Sequence, residues 1–279
     1  MNLQFWLNML HNPADFLKRV RIGILKYYFK LKKPKPTLVM ERRWDNLIVL
    51  DACRFDVFKY VCPIRGHLEK IISAGPNTYT WVKRNFYTRD KKFSDTIYIS
   101  SNPYISNYSF LHGISSLKPL GFIPFFKIVD VWRFGWNEEL QTVPPWEVNK
   151  VTRMIKQRYP DKKLIIHYIQ PHHPFIGRVR IREADGFDMQ QLRGRKNLSR
   201  SAWHLLQQGK LSLSKLVRAY VSNLCLVLGY VMKLLPELDG LTCITSDHGN
   251  AFGRFGIYSH PNIELPELIE VPWLEVKKL

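Results

Sequence analysis

The chain has 279 residues, 46% of them hydrophobic, and carries 42 Lys and Arg against 23 Asp and Glu, a formal charge of +19. That length holds one large α/β domain or two small ones, and the apolar content excludes an intrinsically disordered chain. The charge points to polyanions: nucleic acid, an anionic membrane or phosphorylated substrates. Cys53, Cys62, Cys225 and Cys243 are too scattered for a disulfide scaffold or a zinc knuckle, so reduced thiols in a reducing compartment are expected.

Residues 1–43 differ from the rest. Phe5, Trp6, Leu7, Leu10, Phe16, Leu17, Val20, Ile24, Leu25, Tyr28 and Phe29 recur at roughly helical spacing, interleaved with Lys18, Arg19, Arg21, Lys26 and Lys30 and followed by Lys32, Lys33 and Lys35. Such a basic amphipathic helix suits a membrane interface, and equally suits packing on its own domain with a solvated basic face. Pro34 and Pro36 end the segment and mark a linker into the second part, residues 44–279. Asn8, His11, Asn12 and Asp15 interrupt any apolar leader, so no secretory signal is expected. The most apolar later stretch, 221–235, is too short to span a bilayer. A cytoplasmic protein is expected, peripheral on the inner membrane face if the basic segment binds lipid.

Beyond the linker, residues 47–50 read as a continuous apolar strand and 54–60 as a short helix. Strands follow at 96–100 and 127–132, and a helix over 145–158 has Pro in its first turn. A strong strand over 164–169, a long helix over 213–235 and a strand over 241–245 complete the series. Residues 178–200 are arginine-rich and read as an irregular insertion. Strands apolar on both faces, alternating with helices, predict a mostly parallel sheet in an α/β sandwich.

In open parallel sheets, ligands bind beyond the carboxyl ends of the strands. Strand 47–50 is followed by Asp51, strand 164–169 by Gln170, Pro171, His172 and His173, and strand 241–245 by Ser246, Asp247, His248 and Gly249. Asp and His together are ligands for a divalent metal such as zinc or manganese. His260 lies a short loop farther on and can return to the same edge. Singly, each has a plainer reading: a helix cap for Asp51, a satisfied structural residue for a lone His, a turn for "SDHG". Their joint placement favours a site.

Taken in order, "LIVLDACRFD", "SAGPNTYTW", "QPHHPF", "TSDHGNAFG" and "SHP…VPW" resemble the alkaline phosphatase superfamily, most closely its sulfatase-like and phosphoglycerol-transferase-like members, over about residues 44–276. The resemblance implies a three-layer α/β/α sandwich with a mostly parallel central sheet, plus the N-terminal basic helix. It implies Asp51, Asp247 and His248 as metal ligands and Thr78 as a metal-bound nucleophile opening a helix. His260 would bind a second metal or the substrate. His172 would contact substrate or metal, with His173 its rival. The implied cofactor is one or two divalent ions: manganese, zinc or magnesium. Metal coordination lowers a hydroxyl's pKa, and the free N–H groups of a helix N-terminus hold phosphate oxygens. Thr78 could instead be an ordinary N-cap, and Thr80 and Ser73 are rival hydroxyls. Arg54 follows the first strand closely enough to touch a tetrahedral anion, or is a surface residue; Asn77 could bond the same anion.

The pattern departs from the family in places. The formylglycine sulfatases carry Cys-x-Pro-x-Arg, whereas Cys62-Pro63-Ile64-Arg65 has other spacing. Gln170 stands close to where two-metal members place an aspartate. The chain is short for the superfamily, so the usual C-terminal subdomain is expected to be missing. The expected function is a metal-dependent phosphotransferase or phosphoester hydrolase with a threonine nucleophile, acting on membrane-associated or glycan-linked phosphoesters. The alternatives are a sulfate-ester hydrolase of the same fold and a non-catalytic basic protein binding membrane or nucleic acid through a degenerate site. Retention of Asp51, Asp247, His248 and His260 speaks against the last and disfavours nucleic acid as partner.

Overall fold

The computed structural model of the chain describes residues 13–31, 34–86, 93–106, 125–181 and 202–276. In chain order the first half contains helix α1 (Pro13–Leu31), strand β1 (Asn46–Asp51), α2 (Phe55–Val61), β2 (His67–Ile72), α3 (Thr78–Phe86), β3 (Phe93–Ser100), β4 (Phe125–Asp130) and α4 (Val131–Phe134). The second half contains α5 (Pro145–Arg158), β5 (Lys163–Pro171), α6 (Ala202–Gln207), α7 (Leu213–Leu234), β6 (Thr242–Thr245), a hairpin of β7 (Ala251–Phe252) and β8 (Tyr258–Ser259), α8 (Pro266–Ile269) and β9 (Glu270–Val276). Among the described residues, seven strands form one sheet in the order β2-β9-β6-β1-β5-β3-β4. The five strands from β6 to β4 are parallel to their neighbours, while β9 pairs antiparallel with both β6 and β2.

The continuous apolar runs follow from burial on both faces. Every residue of β1 is buried. Because side chains alternate along a strand, Ile48 and Leu50 enter one core and Leu47 and Val49 the other. Strand β5 divides likewise: Leu164, Ile166 and Tyr168 face the first core, and Ile165 faces the second. The first core is covered by α7 (Leu224, Val227, Leu228, Val231, Leu234), by α5 (Val148, Val151, Ile155) and by Phe58 of α2. The second is covered by Trp81, Val82 and Phe86 of α3, with Val39 and Trp44 from the approach to β1. These are the three layers expected from the sequence. Each fully buried Leu or Ile contributes roughly 1.5–3 kcal/mol relative to exposure.

Three features differ from the sequence expectations. Strands β2 and β9 and the β7–β8 hairpin were not anticipated. In β2, HLEKII, only Ile71 is buried, so the edge strand lacks an apolar run. Trp132 was expected to end a strand but lies in α4, because β4 stops at Asp130 and the chain turns into one helical turn closed at Gly135. Helix α7 is also longer than its most apolar stretch. With the turn after it, Leu213–Glu237 is long and apolar enough, by length and composition, to cross a membrane. Its inner stripe packs on β5 and α5, as a core helix does.

The basic segment resolves into two faces where its side chains are described. Ile22, Leu25 and Phe29, at i, i+3 and i+7, pack against a small core of Ala251, Ile257, Ile263, Leu265, Leu268 and Ile269. Opposite them, Val20, Ile24, Tyr27, Tyr28 and Leu31 are exposed, Ile24, Tyr27 and Leu31 by about two thirds (64%, 67% and 69%). Phe5, Trp6, Leu7 and Leu10, and the arginine-rich stretch 182–200, lie outside the described residues.

Candidate active site

Asp51 ends β1 in a turn that the surrounding chain holds tightly. Ala52 takes a left-handed conformation, φ 60°, which a non-glycine residue adopts only when it is held there. The Ala52 N–H donates to Asp247 Oδ1 at 3.1 Å and the Cys53 N–H to Ser246 Oγ at 2.8 Å. The Tyr220 hydroxyl, from α7, donates to the Ala52 carbonyl at 2.7 Å and accepts from the Arg54 N–H at 2.9 Å. These bonds lock the β1 and β6 ends together and aim the Asp51 carboxylate into the site. Its Oδ2 accepts from Asn102 Nδ2 at 2.7 Å; its Oδ1 is buried without a hydrogen-bond partner.

Asp247 and His248 follow β6 after Ser246. The next residue must be small: a Cβ on Gly249 would lie 2.1 Å from the Glu267 carbonyl oxygen. His248 Nδ1 lies 2.7 Å from the Gly249 carbonyl, so Nδ1 carries the proton and donates. Its Nε2 therefore presents a lone pair, 3.5 Å from Asp51 Oδ1 and 3.4 Å from Asp247 Oδ2. One ligand atom from each of Asp51, Asp247 and His248 lies within 4.8 Å of the others, and all three residues are buried.

Thr78 meets this group from α3. Its Oγ1 donates to Asp247 Oδ2 at 2.6 Å and lies 3.3 Å from His248 Nε2. The N-cap of α3 is Asn77: its side-chain oxygen accepts from the Thr80 N–H at 2.9 Å and its carbonyl from the Trp81 N–H at 3.0 Å. Thr78 is thus the first helical residue rather than the cap, and Asn77 spends its side-chain oxygen on the helix rather than on an anion. Ser73 is also committed to backbone: its hydroxyl donates to the Asp247 carbonyl and accepts from the Gly75 N–H at 3.2 Å. Of the rival hydroxyls only Thr78 is bonded to the carboxylate–imidazole group.

The histidines after β5 stand alongside. His172 Nδ1 donates to the His173 carbonyl at 2.6 Å, which leaves the lone pair of Nε2 facing His260 Nε2 at 3.0 Å. The His260 ring centroid is 4.6 Å from that of His248, so four imidazoles run from His248 through His260 and His172 to His173, the last stacked on His172 at 4.3 Å. His260 stands beside the three-residue cluster and bonds His172. The loop is fixed by Asn223, a fully buried residue of α7. Its amide nitrogen shares its two protons among the carbonyls of Pro171, His172 and Pro174, at 3.2, 3.0 and 3.3 Å, and its oxygen accepts from the Ile176 N–H.

Burial and the neighbouring Asp247 charge push the Asp51 carboxyl well up from its ordinary range. Asp247 is buried too, which raises its pKa, but His248, His167 and the Thr78 hydroxyl outweigh that and hold it down. Burial lowers His172 to about 4 and takes His173 and His260 well down. Two carboxylates facing one another in a dry site, one of them with an oxygen lacking any partner, are a donor set that a divalent cation would satisfy.

Arg54 points elsewhere. Its guanidinium makes a two-pronged ion pair with Asp56, donates to the Asn250 carbonyl at 3.0 Å and stacks on Phe252 at 4.7 Å. It buttresses the loop after His248 through three of its five N–H groups. Cys53 is buried in the first core, and Cys62 ends α2 beside Ile64. The sequence reading missed Asn102, Asn223, Tyr220 and His167. Asn102 was legible by the rule that found the others, since it follows a strand end, in "SSNPY".

No protein-family model and no curated protein sequence matches the chain. Its fold does match solved structures. The soluble domain of lipooligosaccharide phosphoethanolamine transferase A from Neisseria meningitidis superposes with a TM-score of 0.52 at 15% identity, over 83% of this chain and 76% of that one. The integral membrane form of the same transferase superposes with a TM-score of 0.51 at 15% identity. That match covers 98% of this chain and 58% of the transferase, so this chain spans under two thirds of that protein's length. A Vibrio parahaemolyticus protein of the alkaline phosphatase superfamily aligns with a TM-score of 0.46 at 12% identity, over 94% of this chain and 69% of that one. The chain shares its α/β fold with the soluble domain of that phosphoethanolamine transferase.

Proposed function

We propose that the chain is a metal-dependent phosphotransferase or phosphoester hydrolase whose nucleophile is Thr78. The observation that carries this reading is the Thr78 hydroxyl at 2.6 Å from Asp247 Oδ2 and 3.3 Å from His248 Nε2, beside the unpartnered Asp51 Oδ1. Asp51, Asp247, His248 and Thr78 would hold a zinc, manganese or magnesium ion; the mixed oxygen and imidazole set suits zinc or manganese best. When bound, the ion would lower the pKa of the threonine hydroxyl and offset charge on the transferred group.

The chain's own residues supply the rest. Asp247 Oδ2 accepts the hydroxyl proton as Thr78 Oγ1 forms a bond to phosphorus and the leaving oxygen departs. That gives a phosphothreonine, which water or an acceptor hydroxyl then resolves, restoring the free threonine. Asn77 takes the Thr80 and Trp81 N–H groups, and the dipole of α3 with the N–H groups of Thr78 and Tyr79 would favour the phosphate oxygens. His172 and His260, neutral and hydrogen-bonded as a pair, stand where they would help orient the acceptor. Burial of Asp51, Thr78, Asp247 and His248 limits bulk water at the attack.

A phosphoester is favoured over a sulfate ester because neither Cys53 nor Cys62 meets the cluster, so no cysteine-derived nucleophile is available there. An anionic membrane is the proposed surface on which the substrate is met. The outward face of α1, with Ile24, Tyr27 and Leu31 exposed and Arg21 at its flank by helical spacing, suits a bilayer interface. The inner face of the same helix packs on the core that carries His260's loop. The test is turnover of nitrophenyl phosphate, a nitrophenyl phosphodiester and nitrophenyl sulfate by wild type and Thr78→Ala. Phosphoester turnover lost in the variant supports the reading; turnover unchanged by the substitution removes Thr78 as nucleophile.

A further inference from the structure

Asn102 is 1% exposed and Asp51 2%. The 2.7 Å bond between them joins an amide, not a cation, to the carboxylate. The orientation of that amide is settled by its other end. Asn102 Oδ1 accepts from the Tyr104 N–H at 2.9 Å, so the NH2 group must face Asp51. The turn is anchored in turn: Ser100 Oγ donates to the Asn102 carbonyl at 2.6 Å, and the Ser101 N–H donates to the His167 carbonyl at 3.2 Å. Asn102 is therefore held by the end of the β3–β5 ladder, independently of Asp51.

From this geometry we infer that Asn102 is a positioning residue that selects the metal: it occupies Asp51 Oδ2 and leaves Oδ1 as that carboxylate's single ligand atom. The inference rests on the metal reading of the Asp51–Asp247–His248 group. A neutral amide blocks one oxygen without cancelling the carboxylate's charge, as an arginine or lysine would. Calcium takes six to eight oxygens and uses carboxylates in two-oxygen mode, whereas zinc takes about four ligands at short range. A carboxylate with one oxygen withheld favours the small cation. The partners that hold a metal ligand in place typically matter about 10–100-fold in metal affinity.

The experiment is isothermal titration of the metal-stripped full chain with zinc, manganese and calcium, for wild type, Asn102→Ala and Asn102→Asp, alongside thermal melting without metal. Asn102→Asp keeps an oxygen to accept from the Tyr104 N–H but loses the donor to Asp51, so it decides the matter if Asn102→Ala does not fold. Wild type is expected to prefer zinc to calcium, and both variants to narrow that preference by about 10-fold or more. Equal weakening of all three cations would mean that Asn102 is only structural and would overturn the inference. So would an unchanged zinc-to-calcium ratio in folded variants, with the metal site itself left standing. Wild type that binds none of the three, with or without Asp247→Asn, would remove the metal reading and this inference together.

Discussion

The Thr78 hydroxyl and the Asp247 carboxylate meet at 2.6 Å although 169 residues separate them in the chain. One opens the helix after the edge strand β2; the other lies two residues beyond the end of the buried strand β6. Two elements from different parts of the sheet converge because both end at its carboxyl edge. Replacing Thr78 by alanine should cut phosphoester turnover by roughly three or more orders of magnitude, while Thr78→Ser, which keeps the hydroxyl, should retain measurable activity. Intact-mass spectrometry of rapidly quenched wild type should find one added phosphoryl group, absent in Thr78→Ala.

Asp247→Asn keeps the shape of the side chain and removes its charge. Metal affinity should fall by at least about 100-fold, because a direct ligand is lost and not merely its support. Stripping the wild type with a chelator should abolish turnover, and zinc or manganese should restore it. Turnover that survives chelation would refute the metal requirement.

His167 gives the fold an acid-sensitive point. It is fully buried on β5, Nδ1 lies 2.8 Å from the Tyr98 hydroxyl, and Nε2 has no partner. Burial lowers its pKa from 6.5 to about 4. Between those values the unfolded chain binds the proton and the folded chain does not, so stability falls as pH drops from about 6.5 and levels off below about 4. The contribution lost is on the order of 3 kcal/mol. Chemical denaturation from pH 7 to pH 4 should show a shallower loss in His167→Gln than in wild type; equal slopes would remove His167 as the cause.

Tyr220 holds the left-handed turn at Ala52 through two hydrogen bonds of one hydroxyl. Tyr220→Phe strands a buried carbonyl and an N–H, at a cost of about 1–3 kcal/mol in stability. The Asp51 carboxylate should also be less well fixed, so metal affinity should fall with it. A variant as stable as wild type by urea unfolding would contradict this role.

The outward face of α1 makes a separate prediction. The full chain should sediment with vesicles containing phosphatidylglycerol and not with pure phosphatidylcholine, and added salt should weaken that binding. Ile24→Glu with Tyr27→Glu, both on exposed positions, should abolish it without changing turnover of a soluble nitrophenyl ester. Vesicle binding untouched by the double substitution would contradict a lipid contact at this face.

Much of the fold was legible because β1, β5 and β6 are buried on both faces and must be apolar throughout, so the polar residues just after them stand out. The expectation of a site at Asp51, His172, Asp247 and His248 was drawn in that way. Strand β2 was hidden because its exposed residues carry no periodic signal. Asn102 was missed because the rule was applied only to the strongest strands. Asn223 and Tyr220 look like ordinary members of an apolar helix in the sequence; only packing shows that one holds the histidine loop and the other the Asp51 turn. Arg54 was expected near the anion from sequence proximity; its bonds to Asp56 and to the Asn250 carbonyl, two residues after His248, show only in the packing.

The most direct measurement is a crystal structure of the chain soaked with manganese or zinc and with vanadate, with anomalous scattering used to place the metal. The ion is expected between Asp51 Oδ1, Asp247 and His248, with vanadate against the Thr78 hydroxyl. A metal bound elsewhere, or vanadate seated away from Thr78, would contradict the assignment of this group as the catalytic centre.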